Sequence, residues 1–151
     1  MQNLDILNSK EIKEIKKLLL DQFGFSKELD YAFLKNKDEK IFLLSRDFAR
    51  LDTKELRIDS LGLYFGKVER GEIRLSIEGS QIIGPYCTKN VLAVSDDEVL
   101  FWIAGDDLGV QDRTNGVYIV KNNDDFLGCG KLSGDKFYNF VPKPRRVKLS
   151  D

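Results

Sequence analysis

The sequence predicts an α+β fold in two parts. An N-terminal α/β part leads, and a small, mostly-β part follows that can close into a partial barrel. Three observations carry this reading. Residues Asn8 to Phe23 keep a helical apolar period. Residues Tyr31 to Ile77 break into short alternating runs separated by polar or Gly-containing turns. After Gly84-Pro85, short apolar runs recur at short intervals, the pattern of a small barrel. At 151 residues the chain is one domain or two small ones sharing an interface, and the punctuation at Gly84-Pro85 divides it into 1–83 and 84–151. With 42% hydrophobic and 32% charged residues it can build a core.

The elements follow in chain order. Asn8 caps the first helix, with Glu11 as its capping-box partner. Ile12, Ile15, Leu18, Leu19 and Phe23 form its apolar face, and Gly24 ends it. Tyr31 to Lys35 and Ile41 to Ser45 read as strands around Asn36-Lys37-Asp38-Glu39-Lys40, with a short helix or turn from Arg46 to Leu51. Leu56 to Leu61 alternates as a strand. Gly62 to Val68 and Glu72 to Ile77 form a hairpin, and Gly62 and Gly66 mark bulges or close backbone approach. A short helix is expected from Ser80 to Ile83. Asn90 to Val94 is a short strand, and Ser95 with Glu98 caps a helix that buries Trp102. Val117 to Val120 is a strand. Phe126 to Lys131 and Lys136 to Val141 close a hairpin across Ser133-Gly134-Asp135.

Charge and residue usage narrow the function. The net charge is −1, but 136–151 carries +4 and the remainder −5. That asymmetry points to an anionic partner for the C-terminal stretch. There is no histidine, which removes Ser-His and Cys-His nucleophile pairs and His-based metal sites. Cys87 and Cys129 read as free buried thiols of a cytoplasmic protein. Met1 to Asp5 lacks a basic start and an apolar run, so neither a leader nor a membrane partner is expected. Gly128-Cys129-Gly130-Lys131 lacks the spacing and the hydroxyl of a phosphate loop. The acid pairs Asp96-Asp97, Asp106-Asp107 and Asp124-Asp125 fall at a helix start or in turns, where Asp serves the backbone. No catalytic residue, cofactor or metal is expected.

What remains is a binding surface. Cations and aromatics alternate toward the C-terminus, the residue mix that suits a phosphate backbone and exposed bases. The candidate RNA-binding residues are Lys89, Lys131, Lys136, Tyr138, Lys143, Arg145, Arg146 and Lys148. Arg145-Arg146 is the most specific element. Pro142 and Pro144 are expected to hold these cations in extended chain beside the last strand.

Ser60 to Lys67, followed by Arg74-Leu75 and Gly84-Pro85-Tyr86, resembles the domain join of the Nip-seven-type ribosome biogenesis factors. Phe126 to Lys131, then Asn139, Pro142-Lys143 and Arg145-Arg146, is similar to the PUA-like C-terminal module of the Nol/Nop/Sun RNA cytosine-5 methyltransferases. The resemblance implies an α/β pre-PUA domain at 1–83 followed by a PUA domain at 84–151, an RNA-binding pseudo-barrel. No Pro-Cys catalytic motif occurs. The resemblance therefore implies a non-catalytic protein that binds rRNA or tRNA in ribosome biogenesis or RNA modification, in keeping with the cytoplasmic setting read from the cysteines. The alternative is an adaptor that docks on an RNA methyltransferase or a ribosome assembly protein. The loop Gly105 to Gly109 corresponds to the RNA-contacting glycine loop of PUA domains, but Asp106 and Asp107 leave it outside the expected site.

Overall fold

The computed structural model describes residues 4–46 and 62–148. The first sheet is an antiparallel meander in chain order: β1 (Asp5–Ile6), β2 (Ala32–Lys35), β3 (Lys40–Leu44), β4 (Leu63–Glu69) and β5 (Glu72–Leu75). The helix α1 (Ser9–Phe23) covers one face of it. Asn8 accepts from the Glu11 amide at 2.9 Å and Glu11 accepts from the Asn8 amide at 3.3 Å, so both halves of the capping box form. Ile15, Leu19 and Phe23 enter a core that also holds Phe33, Ile41, Phe65 and Ile73.

The second sheet has the order β6-β8-β9-β10-β7, built from β6 (Val91–Ala93), β7 (Leu108–Gly109), β8 (Gly116–Asn122), β9 (Asp125–Ser133) and β10 (Lys136–Asn139). β6 runs parallel to β8, and the other pairs are antiparallel. The helix α3 (Asp96–Ile103) starts from the expected Ser95–Glu98 capping box. It plugs this sheet with Trp102, which is fully buried, stacks on Phe137 at 5.4 Å and donates from Nε1 to the Leu127 carbonyl at 2.9 Å. The chain is α+β, as the sequence indicated.

The two sheets meet through an apolar seam. The helix α2 (Ile77–Ile83) lies between them, and the Ser80 hydroxyl accepts from the Gly128 amide at 3.0 Å. Leu75 and Ile83 share one core cluster with Val117, Ile119, Phe126 and Cys129. This cluster contains residues from both sides of Gly84-Pro85.

Several local expectations are corrected. α2 begins at Ile77 rather than Ser80, and the strand before it ends at Leu75. The cause is Ser76, whose side chain accepts from the Gly79 amide and caps the helix early. The two-residue strands β1 and β7 are too short to show a period in sequence. The bulge near Gly66 is present: the β3–β4 register shifts between Ile41 and Phe42, with Gly66 and Tyr64 opposite them. The strand expected from Leu56 to Leu61, and the turn or helix expected from Arg46 to Leu51 beyond Arg46 itself, lie outside the described residues.

Candidate nucleic-acid interface

The eight residues singled out from sequence fall into three groups. Lys131, Lys136 and Tyr138 form the first. Tyr138 lies directly opposite Lys131 in the β9–β10 register, and Lys136 is two residues along the same strand. Side chains two apart on a strand, and those directly opposite, share a face. The Lys136 ammonium stands 4.9 Å from the centre of the Tyr138 ring, which is 43% exposed. Phe137, between them, points the other way into the core. Lys131 reaches Glu72 at 2.6 Å, and Lys136 lies 3.5 Å from Asp107.

The second group is the C-terminal segment. The two prolines were expected to keep it extended. Instead Lys143–Arg145 forms a 3-10 turn, with the Arg145 amide donating to Pro142 at 2.8 Å and the Arg146 amide to Lys143 at 3.2 Å. Proline's fixed φ suits the first positions of a helical turn as well as extended chain. The turn is then fastened: the Val147 amide donates to the Ile103 carbonyl at the end of α3 at 2.8 Å. The Arg146 Nε donates to the Val141 carbonyl at 3.0 Å, and the side chain lies against Gly105. Gly105 has φ +96°, and a Cβ there would stand 2.4 Å from the Arg146 Cδ, so this packing requires glycine.

The outcome is an open groove of about 500 Å³ lined by Lys143, Arg146, Lys148, Val147, Ala104 and Asp106. Three cations and one carboxylate line it. Among the described residues, Lys143, Arg146 and Lys148 form no ion pair. Arg145 is turned away, with its guanidinium 2.7 Å from Glu78 in the first turn of α2. Lys89 stands apart as well. It precedes β6, at the opposite edge of the sheet from β7 and β10, and its amide donates to the Phe23 carbonyl at 3.2 Å.

Sequence reasoning named Asn139 only as a shared residue and missed what it does. Its side chain donates to the Trp102 and Asp106 carbonyls at 2.7 and 3.0 Å and accepts from the Val141 amide at 2.7 Å. Its own amide donates to Asp107 at 2.8 Å. Asn139 thus fixes the 105–107 loop, the end of α3 and the exit of β10 as one unit, and those elements form the groove. Asp107 is held by this link. Arg74 was likewise named only within a hairpin and a resembling segment, with no contact assigned to it. Its guanidinium lies over the Phe140 ring at 4.2 Å.

Groups that could do chemistry are subdued. Burial pushes both the Cys87 and the Cys129 thiol up to about 12, so neither is a thiolate at neutral pH. Among the described residues no three His, Cys, Asp or Glu side chains gather to hold a metal, and no helix is long and apolar enough to cross a membrane.

Residues 89–147 match the family described as the methyltransferase RsmF PUA domain. The match runs from just before β6 through the C-terminal turn. It takes in every candidate residue except Lys148. It supports the resemblance to the PUA-like module of the Sun/Nol-type methyltransferases. It begins at Lys89, so it does not reach the segments that resemble Nip-seven-type factors. No curated protein matches the chain.

Proposed function

We propose that this protein is a non-catalytic, cytoplasmic RNA-binding protein whose residues 84–151 act as a PUA domain behind an α/β domain at 1–83. Its target is structured rRNA or tRNA, engaged by shape and phosphate contacts, and its setting is ribosome biogenesis or RNA modification. One observation carries the reading. The stretch that matches an RNA methyltransferase PUA domain is the stretch on which Lys131, Lys136 and Tyr138 form one patch and Lys143 and Arg146 line one groove. Cations beside an exposed ring, and cations free of carboxylate partners in a groove, are what a phosphate backbone with accessible bases requires. The raised thiols support a binding role over nucleophilic chemistry.

Lys143 and Lys148 are the sharpest test, because they line the groove without ion pairs among the described residues. Replacing both with Gln should weaken binding of total tRNA and reduce the dependence of log K on log salt by about one unit for each phosphate no longer neutralised. Unchanged affinity and slope in the double variant would reject the groove as the site.

A second reading has its own observation. Leu100 and Phe101 on α3, and Val147 bonded to its last residue, are exposed apolar side chains at 52%, 51% and 50%. Such side chains suit a protein partner, such as an RNA methyltransferase or a ribosome assembly factor. Recovery of one stable protein partner, with no RNA affinity at low salt, would favour the adaptor over the RNA-binding protein.

A further inference from the structure

The outer face of the first sheet, opposite α1, carries a row of cations that the register sets side by side. Lys40 lies directly opposite Lys67 across β3–β4, and Lys67 lies directly opposite Arg74 across β4–β5. Like charges directly opposite on neighbouring strands destabilise a sheet. The acids do not alternate with them. The next pair on the same face, toward the hairpin turn, is Glu69 opposite Glu72. A face arranged for its own stability would set Lys against Glu across the strands, whereas here cations and acids are sorted into separate rows.

The partners within this row are weak. Lys67 forms no ion pair among the described residues. Arg74 meets Glu69 only at 3.5 Å, with both side chains more than a third exposed, a pairing of little worth in water. The Lys40 ammonium stands 5.7 Å from the Tyr64 ring. Lys67 and Arg74 line a groove of about 230 Å³ where the two sheets meet, together with Tyr64, Glu69, Phe140 and Pro142.

The row also runs on into the patch on the second sheet. Arg74 covers Phe140, two residues beyond Tyr138 and just past the end of β10. Its neighbour Glu72 is held by Lys131, the register partner of Tyr138. Across both sheets the order is Lys136 with Tyr138, then Arg74 with Phe140, then Lys67, then Lys40 with Tyr64. Each aromatic ring has a cation within 6 Å. Such interleaving suits phosphates alternating with bases or sugars.

We infer that Lys40, Lys67 and Arg74 are RNA-phosphate contacts, and that the bound RNA crosses the groove between the sheets onto the N-terminal domain. The inference rests on the RNA-binding reading and enlarges its footprint. The α/β domain becomes part of the binding surface, and the core shared across the seam sets the spacing of the two contact regions.

The experiment titrates total tRNA against the full chain and its Lys67→Gln, Lys40→Gln and Lys67→Arg variants over a range of salt. Lys67→Gln and Lys40→Gln should each lower affinity about fivefold and reduce the log K versus log salt slope by about one unit. Lys67→Arg should keep both. Thermal unfolding adds a readout that a structural role would move in the opposite direction. Removing a cation from a repelling row should leave Tm unchanged or raise it. A wild-type protein that binds tRNA while both Gln variants bind equally well would overturn this inference alone. A fall in Tm that accounts for the weaker binding of Lys67→Gln would also overturn it. A wild-type protein that fails to bind tRNA at low salt would overturn it together with the RNA-binding reading.

Discussion

Cys129 is 1% exposed, and burial pushes its thiol from the ordinary 9.0 up to about 12, with Cys87 raised in the same way. The sign of the consequence follows from proton counting. Above about pH 9 the unfolded chain releases these protons while the folded chain keeps them. Their contribution to stability is therefore fully present below pH 9 and is lost as pH rises toward about 12. Unfolding free energy measured across the alkaline range should decline, and replacing both cysteines with Ala should flatten that decline. In the native protein at about pH 8, Cys129 should resist a thiol reagent that labels it after denaturation. A Cys129 that labels at the same rate in both states would contradict its placement. The sequence made this residue's role legible because one of two widely separated cysteines, in a chain with no histidine, has little to do but pack. It concealed Arg74 and Lys67, whose meaning depends on what lies opposite them in a sheet.

Elements were legible in proportion to how local their causes are. Asn8 with Glu11 and Ser95 with Glu98 are three residues apart, and both capping boxes stand where the sequence places them. Ser76 works by the same local rule as the cap of α2, but its position at the end of a strand pattern hid it. The C-terminal turn was misread as extended because proline's φ fits both forms. The choice is made by the Val147 amide bonding to Ile103 and by Arg146 packing on Gly105, which are tertiary contacts. The pairing of Arg145 with Glu78 spans 67 residues and has no local signature. Asn139 is the keystone at this scale. Asn139→Ala removes three side-chain hydrogen bonds, to the Trp102 and Asp106 carbonyls and from the Val141 amide. The expected loss is about 1–3 kcal/mol in a denaturant titration, accompanied by weaker RNA binding as the groove loosens. Full stability in this variant would show that the loop is held by other means.

At the scale of the whole molecule, the α+β class was readable from one helical period at Asn8 to Phe23 followed by short alternating runs. The seam was not, because Leu75, Ile83, Ile119 and Cys129 look like ordinary strand or helix residues until both sheets are present. With α2 and one core cluster shared across that seam, the chain should unfold in a single transition. The fluorescence of Trp102, buried in the second sheet's core, should report the same midpoint as the far-UV signal of the whole chain. Two separated midpoints would mean that the halves fold independently. The most direct test of the RNA-binding reading is the salt-dependent titration of total tRNA against the wild-type chain and its Lys143→Gln, Lys148→Gln form. Wild-type affinity should fall linearly on a log–log plot with a slope of about four units or more, and the double variant should bind more weakly with a shallower slope. Absent binding at low salt, or an affinity indifferent to salt and to both lysines, would contradict a phosphate-reading surface.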